Sequence, residues 1–421
     1  MRIVYYLLFF LCVTCGAHLS AQQVSPELQA KWDKENSLPE NPLLHHAPSR
    51  LPDRITLVPA SSLADEMAVI WRTDTTVKSS RIEIIAADTL TFPKENRRRF
   101  NGSYNVVHYK DYPMHYHKVI VKNLDRGTLY KYRVGNSPDW SPWHTYRHGN
   151  FEDTVRLLYF GDTQNGIYEH TTKIYKEAAK KFDNAGLAVY IGDLINHADN
   201  DYEWSEWHAA TGDINTTLPV IATPGNHEYL KNLDGKKTRL SAYWTSTFPY
   251  PYEWDAGQYY MDFGFVRFIV LNSNEKLDAQ AEWLDSLLNN TQQDWVVLVS
   301  HHPVFSGAKN RQNKGLQENW LPVIKKHRDK IGLVLQGHDH TYARGGFPER
   351  DVNKTNPSHP VFTVTVIGDK FYELDRQPWM DVAISHVSSY QYIELTRDRI
   401  TYKAYSETNH LIDQFEINKP E

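Results

Sequence analysis

The stretch Leu187–Asn196, LAVYIGDLIN, constrains the fold of this chain more than any other. Five apolar or aromatic residues, Leu187 to Ile191, run without a charge and stop at Gly192-Asp193. A short apolar run that ends in a turn signal reads as a fully buried strand of an α/β sheet. Gly192 permits a sharp backbone turn, and Asp193 is left at the strand's carboxyl end, where such sheets place their ligands. Alone, an aspartate there is more often a helix cap or a turn former. Here the pattern recurs at four other strand ends. Val155–Phe160 leads to Gly161-Asp162, and Leu218–Thr223 to Pro224-Gly225-Asn226-His227-Glu228. Trp295–Ser300 leads to His301-His302-Pro303, and Ile331–Leu335 to Gly337-His338-Asp339-His340.

Helical patterns at about Glu169–Phe182, Ala279–Leu288 and Gln317–His327 alternate with these strands, and Tyr259–Asn272 reads as two strands turning near Gly264. Alternation of this kind means an α/β layered core. After about Pro360 only strands follow: Val361–Ile367, Ser385–Leu395, Ile400–Ala404 and Ile412–Ile417. They are expected to form a second, more antiparallel sheet closing the same domain. Upstream, Met67–Arg72, Arg81–Ala86, His117–Lys122 and Leu129–Val134 are short strands with turns about every ten residues and no helix between them. That predicts a β-sandwich, read as a packing domain rather than an independent binding module. The expected fold class is thus α+β/α/β, with a β-sandwich over residues 51–150 and an α/β domain over 151–421.

Residues 22–50 have weak periodicity and are expected to form an extended arm. Met1–Ala21 carries Arg2, an apolar run Ile3–Val13 and small residues leading to Ala21. The run is too short to span a bilayer, so the segment reads as a cleaved secretory signal and the product as exported, periplasmic or secreted. No later stretch is long and apolar enough for a membrane span. Both cysteines, Cys12 and Cys15, fall within the signal, so any metal must be held by nitrogen and oxygen. A formal net charge of −5 leaves no basic footprint for a nucleic acid partner. Oligomeric state is not legible.

Asp162, Asp193, Asn226, His301, His338 and His340 each sit just past an apolar run. If the strands lie side by side, these side chains meet in one crevice. Carboxylate, amide oxygen and imidazole suit Zn, Mn or Fe. Six such groups exceed what one catalytic ion usually takes, and suit two ions about 3.5–4 Å apart that share a carboxylate. Such a pair turns bound water into hydroxide near neutral pH and clamps the phosphoryl oxygens of an in-line displacement.

The motifs GD (Asp162), GD (Asp193), GNHE (Asn226–Glu228), HHP (His301–Pro303) and GHDH (His338–His340), in this order, resemble the calcineurin-like metallophosphoesterase superfamily. The leading sandwich and the closing strands ending in KAYS and IDQFEI resemble the purple acid phosphatase branch. Leu124–Tyr132, LDRGTLYKY, is similar to the corner of fibronectin type III domains at which the first of two tyrosines bonds back to the turn. The resemblance covers nearly the whole mature chain. It implies a four-layer α/β/β/α phosphoesterase domain with two divalent ions. One ion would be held by Asp162, Asp193 and His340. The other would take Asp193, Asn226, His301 and His338, with Asp193 bridging. His301 is chosen over His302 because the family's ligand lies two residues before the proline. His227 would contact the phosphate and protonate the leaving oxygen. The implied activity is hydrolysis of phosphate monoesters by a metal-bound hydroxide. The alternatives are a phosphodiesterase on the same core or a catalytically silent surface binding protein.

The chain departs from the family at three places. The purple enzymes have a tyrosine three residues after the bridging aspartate, where this chain has Asn196. Many superfamily members have Asp-x-His in the first motif, where this chain has Asp162-Thr163-Gln164; Gln164 either coordinates or hydrogen-bonds a ligand. The family's substrate-contacting histidine after the fourth motif has no evident counterpart in Val304–Lys314. Purple colour in the family comes from phenolate-to-ferric charge transfer, and Asn196 supplies neither the phenolate nor its charge. The active protein is therefore expected to be colourless, loaded with divalent ions and indifferent to mild reductants. A visible absorption band that disappears on Tyr202→Phe would show a phenolate ligand arriving from elsewhere.

Overall fold

The computed structural model describes residues 47–60, 65–87, 96–109, 112–232, 234–253, 257–350 and 360–419. The expected signal, 1–21, and most of the arm, 22–50, lie outside the described residues. Among the described residues no helix is long and apolar enough to cross a membrane.

Two four-stranded antiparallel sheets form the leading sandwich. One runs in the order Asp53–Pro59, Met67–Asp74, Tyr112–Val121, Ser103–Tyr109, and the other Arg98–Asn101, Arg81–Ala86, Leu129–Val134, His144–Arg147. Met67, Val69 and Trp71 pack between the sheets with Ile82, Ile84, Tyr132 and Val134. Their neighbours Ala68 and Ile70, on the opposite face of the same strand, belong to the core of the following domain. This is why MAVIWR is apolar throughout instead of alternating: both faces of the strand are covered. At the predicted corner, the Asp125 N–H donates to the Tyr130 hydroxyl at 2.9 Å, so the first of the paired tyrosines does fold back on the turn.

The second domain has four layers, α/β/β/α. Its first sheet runs Val220–Ala222, Leu187–Tyr190, Val155–Phe160, Ser389–Leu395, Arg399–Ser406, Leu411–Asn418, the first three parallel and the last three antiparallel. The second runs Tyr259–Phe263, Val266–Val270, Trp295–Val299, Ile331–Gln336, Val361–Val364, Tyr342–Gly345, Met380–Ile384, parallel through its centre. Helices Thr171–Lys181 and Asp201–Asn215 cover the first sheet: Phe160 meets Tyr175 at 4.8 Å and Tyr190 meets Trp207 at 5.5 Å between ring centroids. Helices Leu277–Asn289 and Lys314–Lys326 cover the second, where Leu284, Leu316 and Trp320 pack with Val296 and Leu298. The alternate residues Val297 and Val299 join Leu157 and Tyr159 between the sheets.

The closing strands do not make a sheet of their own. Ser389–Leu395 pairs antiparallel with Val155–Phe160 and starts an extension of the first sheet, whereas Val361–Val364 lies parallel to Ile331–Gln336 in the second. Of the expected strand Ser385–Leu395 only Ser389–Leu395 is extended, and a strand not read from the sequence, Met380–Ile384, precedes it in the other sheet. His386, at a φ of 56°, breaks the extended backbone between them.

Helix Asp201–Asn215 seats the sandwich on the second domain. Asn200 caps it, accepting the Tyr202 N–H at 3.1 Å. Asp201, in its first turn, lies 2.8 Å from Arg54 and 3.3 Å from Arg72 of the sandwich, and all three side chains are almost wholly buried. Tyr112 donates a further bond to Asp201 at 3.0 Å. The positive helix terminus adds to this neutralisation. Removing the carboxylate leaves two buried guanidinium groups short of charge, so Asp201→Asn should destabilise the protein by about 3–5 kcal/mol. Urea unfolding checks this; a loss below about 1 kcal/mol would mean that water or Asp53 compensates.

Candidate metal centre

Every motif residue follows a strand whose carboxyl end opens on the same crevice, and cross-links between the two sheets fix their relative positions. The His338 N–H donates to Asp162 Oδ1 at 2.8 Å, and His301 Nδ1 donates to the Ile191 carbonyl at 2.7 Å. Asp193, His338 and His340 take left-handed backbone conformations, with φ of 49°, 69° and 48°. Such conformations cost free energy in non-glycine residues and concentrate at functional sites. The glycines of the motifs make room for close approach. A Cβ on Gly225 would lie 2.2 Å from Asp193 Oδ1, and one on Gly337 would lie 2.3 Å from Asp162 Oδ1.

The donor atoms of Asp162, Asp193 and His340 lie within 4.8 Å of one another, as do those of His301, His302 and His338. The first group is the set expected for one ion. The second contains His301 and His338 of the other set, together with His302, which the sequence reading set aside. His302 donates its backbone N–H to Ser273 Oγ and bonds the same oxygen through Nδ1 at 2.8 Å. Its ring centre is 4.1 Å from that of His338.

The chemistry of these groups fits cations. Carbonyl oxygens can only accept, so the bonds from His301 Nδ1 to Ile191 and from His340 Nδ1 to Lys370 (2.9 Å) leave Nε2 of each ring to ligate. Asp193 Oδ2 lies 3.2 Å from His301 Nε2, and Asp162 Oδ2 lies 3.2 Å from His340 Nε2. Among the described residues of the site, Asp162 Oδ2, Asn226 Oδ1 and Gln164 Oε1 are buried oxygens without a hydrogen-bond partner. An uncompensated buried oxygen is costly, and three in one crevice mark a place for positive charge. Although burial lowers the pKa of His301, the facing Asp193 and Asp162 carboxylates raise it to about 9. Asp193 is held well below the usual carboxylate range against its burial, first by His301 and then by His227.

Gln164 enters the first group. Its amide nitrogen lies 3.1 Å from Asp193 Oδ2 and 2.8 Å from His340 Nε2, a position that the amide oxygen would take if it coordinated. Asn196 contributes its backbone instead of its side chain: its carbonyl accepts His227 Nδ1 at 2.6 Å, and its N–H donates to Glu203 at 2.8 Å. The His227 backbone N–H donates to Asp193 Oδ1 at 2.8 Å, so the residue is anchored to Asp193, with Nε2 of its ring left for a ligand. Tyr190 bonds Asn215 on the far side of its strand.

Several residues of the site were not singled out from the sequence. Glu228, buried, accepts the N–H groups of Asp193, Leu194 and Gly225 at 2.7–2.9 Å and ties two motif turns together. Burial, with Asp193 nearby, pushes its carboxyl up to about 7. Asp339 lies between two ligands, and Arg311 reaches His338. Tyr372 has its ring 4.7 Å from that of His340. The E of GNHE and the D of GHDH were visible as letters, but their partners come from segments far apart in the chain.

Comparison with known proteins agrees with this geometry. Residues 155–342 match the family model described as calcineurin-like phosphoesterase, and residues 52–148 match that of the purple acid phosphatase N-terminal domain. Human acid phosphatase type 7 is 26% identical over 290 residues, covering 60% of this chain and 64% of the human protein. The chain thus spans somewhat less than two thirds of that relative. Purple acid phosphatase 21 of Arabidopsis thaliana is 24% identical over 358 residues, 81% of this chain and 77% of that protein. A third relative, from the same plant, is named probable inactive purple acid phosphatase 27; it is 22% identical over 338 residues, 66% of this chain and 53% of that protein. Among solved structures, the purple acid phosphatase PPD1 of yellow lupin superposes with a TM-score of 0.74 at 17% identity, over 87% of this chain and 74% of its own. The chain thus carries a calcineurin-like phosphoesterase domain behind a purple acid phosphatase N-terminal domain.

Proposed function

We propose that this chain is an exported phosphoric monoester hydrolase that works with two divalent ions. The observation that carries the reading is the pair of neighbouring donor groups, one holding Asp193 and the other reaching it through His301 at 3.2 Å, with unsatisfied oxygens of Asp162 and Asn226. Asp162, Asp193 and His340 would hold one ion, with Gln164 against it; Asp193, Asn226, His301 and His338 would hold the other. When bound, the ions supply the charge that makes water nucleophilic near neutral pH and offsets the charge of the phosphoryl oxygens. The rest falls to the chain. Glu228 and Glu203 fix the loops that carry Asp193 and Asn196 through their backbone N–H groups. His227, set by Asn196 and Asp193, presents Nε2 to the substrate, where it can hydrogen-bond a phosphoryl oxygen or give a proton to the departing alkoxide. The similarity to acid phosphatases favours monoesters over diesters.

A catalytically silent protein is the second reading, prompted by relatives named as probable inactive. The presence of Asp162, Asp193, Asn226, His301, His338 and His340 in one crevice weighs against it. Protein recovered from the exported fraction, with its N-terminus near Gln22, should hydrolyse p-nitrophenyl phosphate on addition of Zn or Mn. It should act more slowly on bis-p-nitrophenyl phosphate. Preference for the diester would replace the monoesterase reading; two bound ions without turnover of either would establish the silent one.

The role of His227 has its own signature, since general acid catalysis is worth about 10²–10⁴-fold. His227→Ala should keep its metal content and lose kcat by about that factor on alkyl phosphates, whose leaving groups need a proton. Activated aryl esters should suffer less. Equal losses on both substrate types would assign His227 to binding alone.

A further inference from the structure

The hairpin that follows the third motif brings two lysines to the mouth of the crevice. Strands Tyr229–Lys231 and Lys237–Leu240 pair antiparallel, with Lys231 directly across from Lys237. The hairpin leaves the turn that holds Asn226 and His227 and is fixed at its base. There the Ser241 N–H donates to the Glu228 carbonyl at 3.0 Å, and the Tyr229 hydroxyl donates to Glu275 at 2.6 Å. At its tip, Asn232 Oδ1 accepts the N–H groups of Asp234 and Lys236 at 3.1 and 2.9 Å. Like charges directly opposite on an antiparallel pair repel, and among the described residues neither Lys231 nor Lys237 makes an ion pair. Lys231 is exposed, whereas Lys237 is half-buried. Burial lowers the pKa of the Lys237 ammonium, Asp193 and Glu228 raise it, and Lys231 and Lys370 lower it again. That charge reaches His227 and His302 as well. Lys370 comes from the side of the other donor group. Its carbonyl accepts His340 Nδ1 at 2.9 Å, and its Nζ lies 5.2 Å from the centre of the Tyr372 ring, itself 4.7 Å from that of His340.

We propose that Lys237, with Lys231 and Lys370, forms a second anion subsite that selects phosphate monoesters whose leaving group carries a negative charge of its own. None of the three lysines belongs to a candidate ligand set, and the charge of the reacting phosphoryl group is met by the ions. Lys237 lies on the side of His227, the ring set toward the departing oxygen. An anion that it binds therefore belongs to the leaving group and not to the phosphate being cleaved. An ammonium is a compact charge with three donors on a flexible stem, so it takes a carboxylate or a second phosphate without demanding one geometry. A substrate of this kind gives the half-buried ammonium a counter-charge and offsets the repulsion across the hairpin. A neutral alcohol as leaving group does neither. The chain as a whole is acidic, with a formal net charge of −5, so the basic rim is local and draws anions to this one place.

The inference rests on the monoester hydrolase reading, and phosphonates, which are not hydrolysed, test it on the full chain without turnover. Calorimetry in buffer containing Mn or Zn measures the affinity for three probes. Ethylphosphonate has no second charge, phosphonopropanoate adds a carboxylate, and ethylenediphosphonate adds a second phosphonate. Wild-type protein should bind a doubly anionic probe about tenfold more tightly than ethylphosphonate, the worth of one charge-assisted hydrogen bond. Whichever of the two gains more identifies the anion. Lys237→Met, which keeps the apolar stem, should lose that preference, and Lys237→Arg should restore most of it. Lys236→Met, at the exposed tip of the same hairpin, should keep it. Where Lys237→Met does not fold, Lys231→Met stands in, and its exposed charge should be worth about threefold. A preference that survives Lys237→Met, or Lys231→Met in its place, overturns the inference and leaves the hydrolase reading standing. So does an equal loss in Lys236→Met, or wild-type protein that binds all three probes alike. Ion-loaded wild type that binds none of the three overturns both.

Discussion

The buried carboxylate of Asp193, between the two candidate donor groups, is the constraint on which the rest of the structure depends. It receives the His227 N–H, the Gln164 amide and the approach of His301, while the Asp193 N–H is held by Glu228. A charge in that place is tolerable only if every surrounding segment is fixed to within a fraction of an ångström. The left-handed backbone at Asp193, His338 and His340 and the glycines packed against Asp162 and Asp193 are what that demand costs locally. The two sheets answer it globally: each ends its parallel strands at the crevice, and hydrogen bonds from His301 to Ile191 and from His338 to Asp162 cross between them.

The parts of this arrangement that announce themselves in the sequence are those in which one physical rule acts on consecutive residues. LAVY, VRLLYF and IGLVLQ are strands buried almost throughout, and their apolar runs, broken only by Arg156 and ended by Gln336, locate them to within a residue. The motif residues are legible for the same reason, since a strand end fixes where the next side chain goes. Helix Asp201–Asn215 was not read as a helix. It is buried against the first sheet on one side and the sandwich on another, so polar and aromatic residues such as Glu203, Trp204, Trp207 and His208 are all inside and no periodic face survives. The closing strands Val361–Val364 and Ser389–Leu395 are legible as strands but not as members of different sheets, because nothing local to either run says which sheet it joins. Arg311, Asp339 and Tyr372 come from three separate loops, and their meeting is a property of tertiary structure alone.

The sandwich reaches the metal centre through that same helix. Arg54 and Arg72 hold Asp201 at its start. Two residues on, Glu203 accepts the N–H groups of Asn196 and His197, and the Asn196 carbonyl in turn sets the ring of His227. A packed, charge-matched path thus runs from the first domain to the ring proposed to meet the leaving group. It gives the sandwich a bearing on chemistry although none of its described residues is among the candidate ligands.

The strand Met67–Asp74, covered on one side by its partner sheet and on the other by the second domain, has a bearing on inheritance. A module with one finished surface can be shuffled among unrelated neighbours and remain soluble wherever it lands. This one has no finished surface on the side of Ala68 and Ile70; cut away, it would present an apolar wall, and its former neighbour would be left with Asp201 facing empty space. The two halves must therefore change together. A substitution accepted on one side narrows what the other can accept, and lineages that keep the catalytic half should keep the sandwich with it, as a fixed partner and not as an exchangeable attachment.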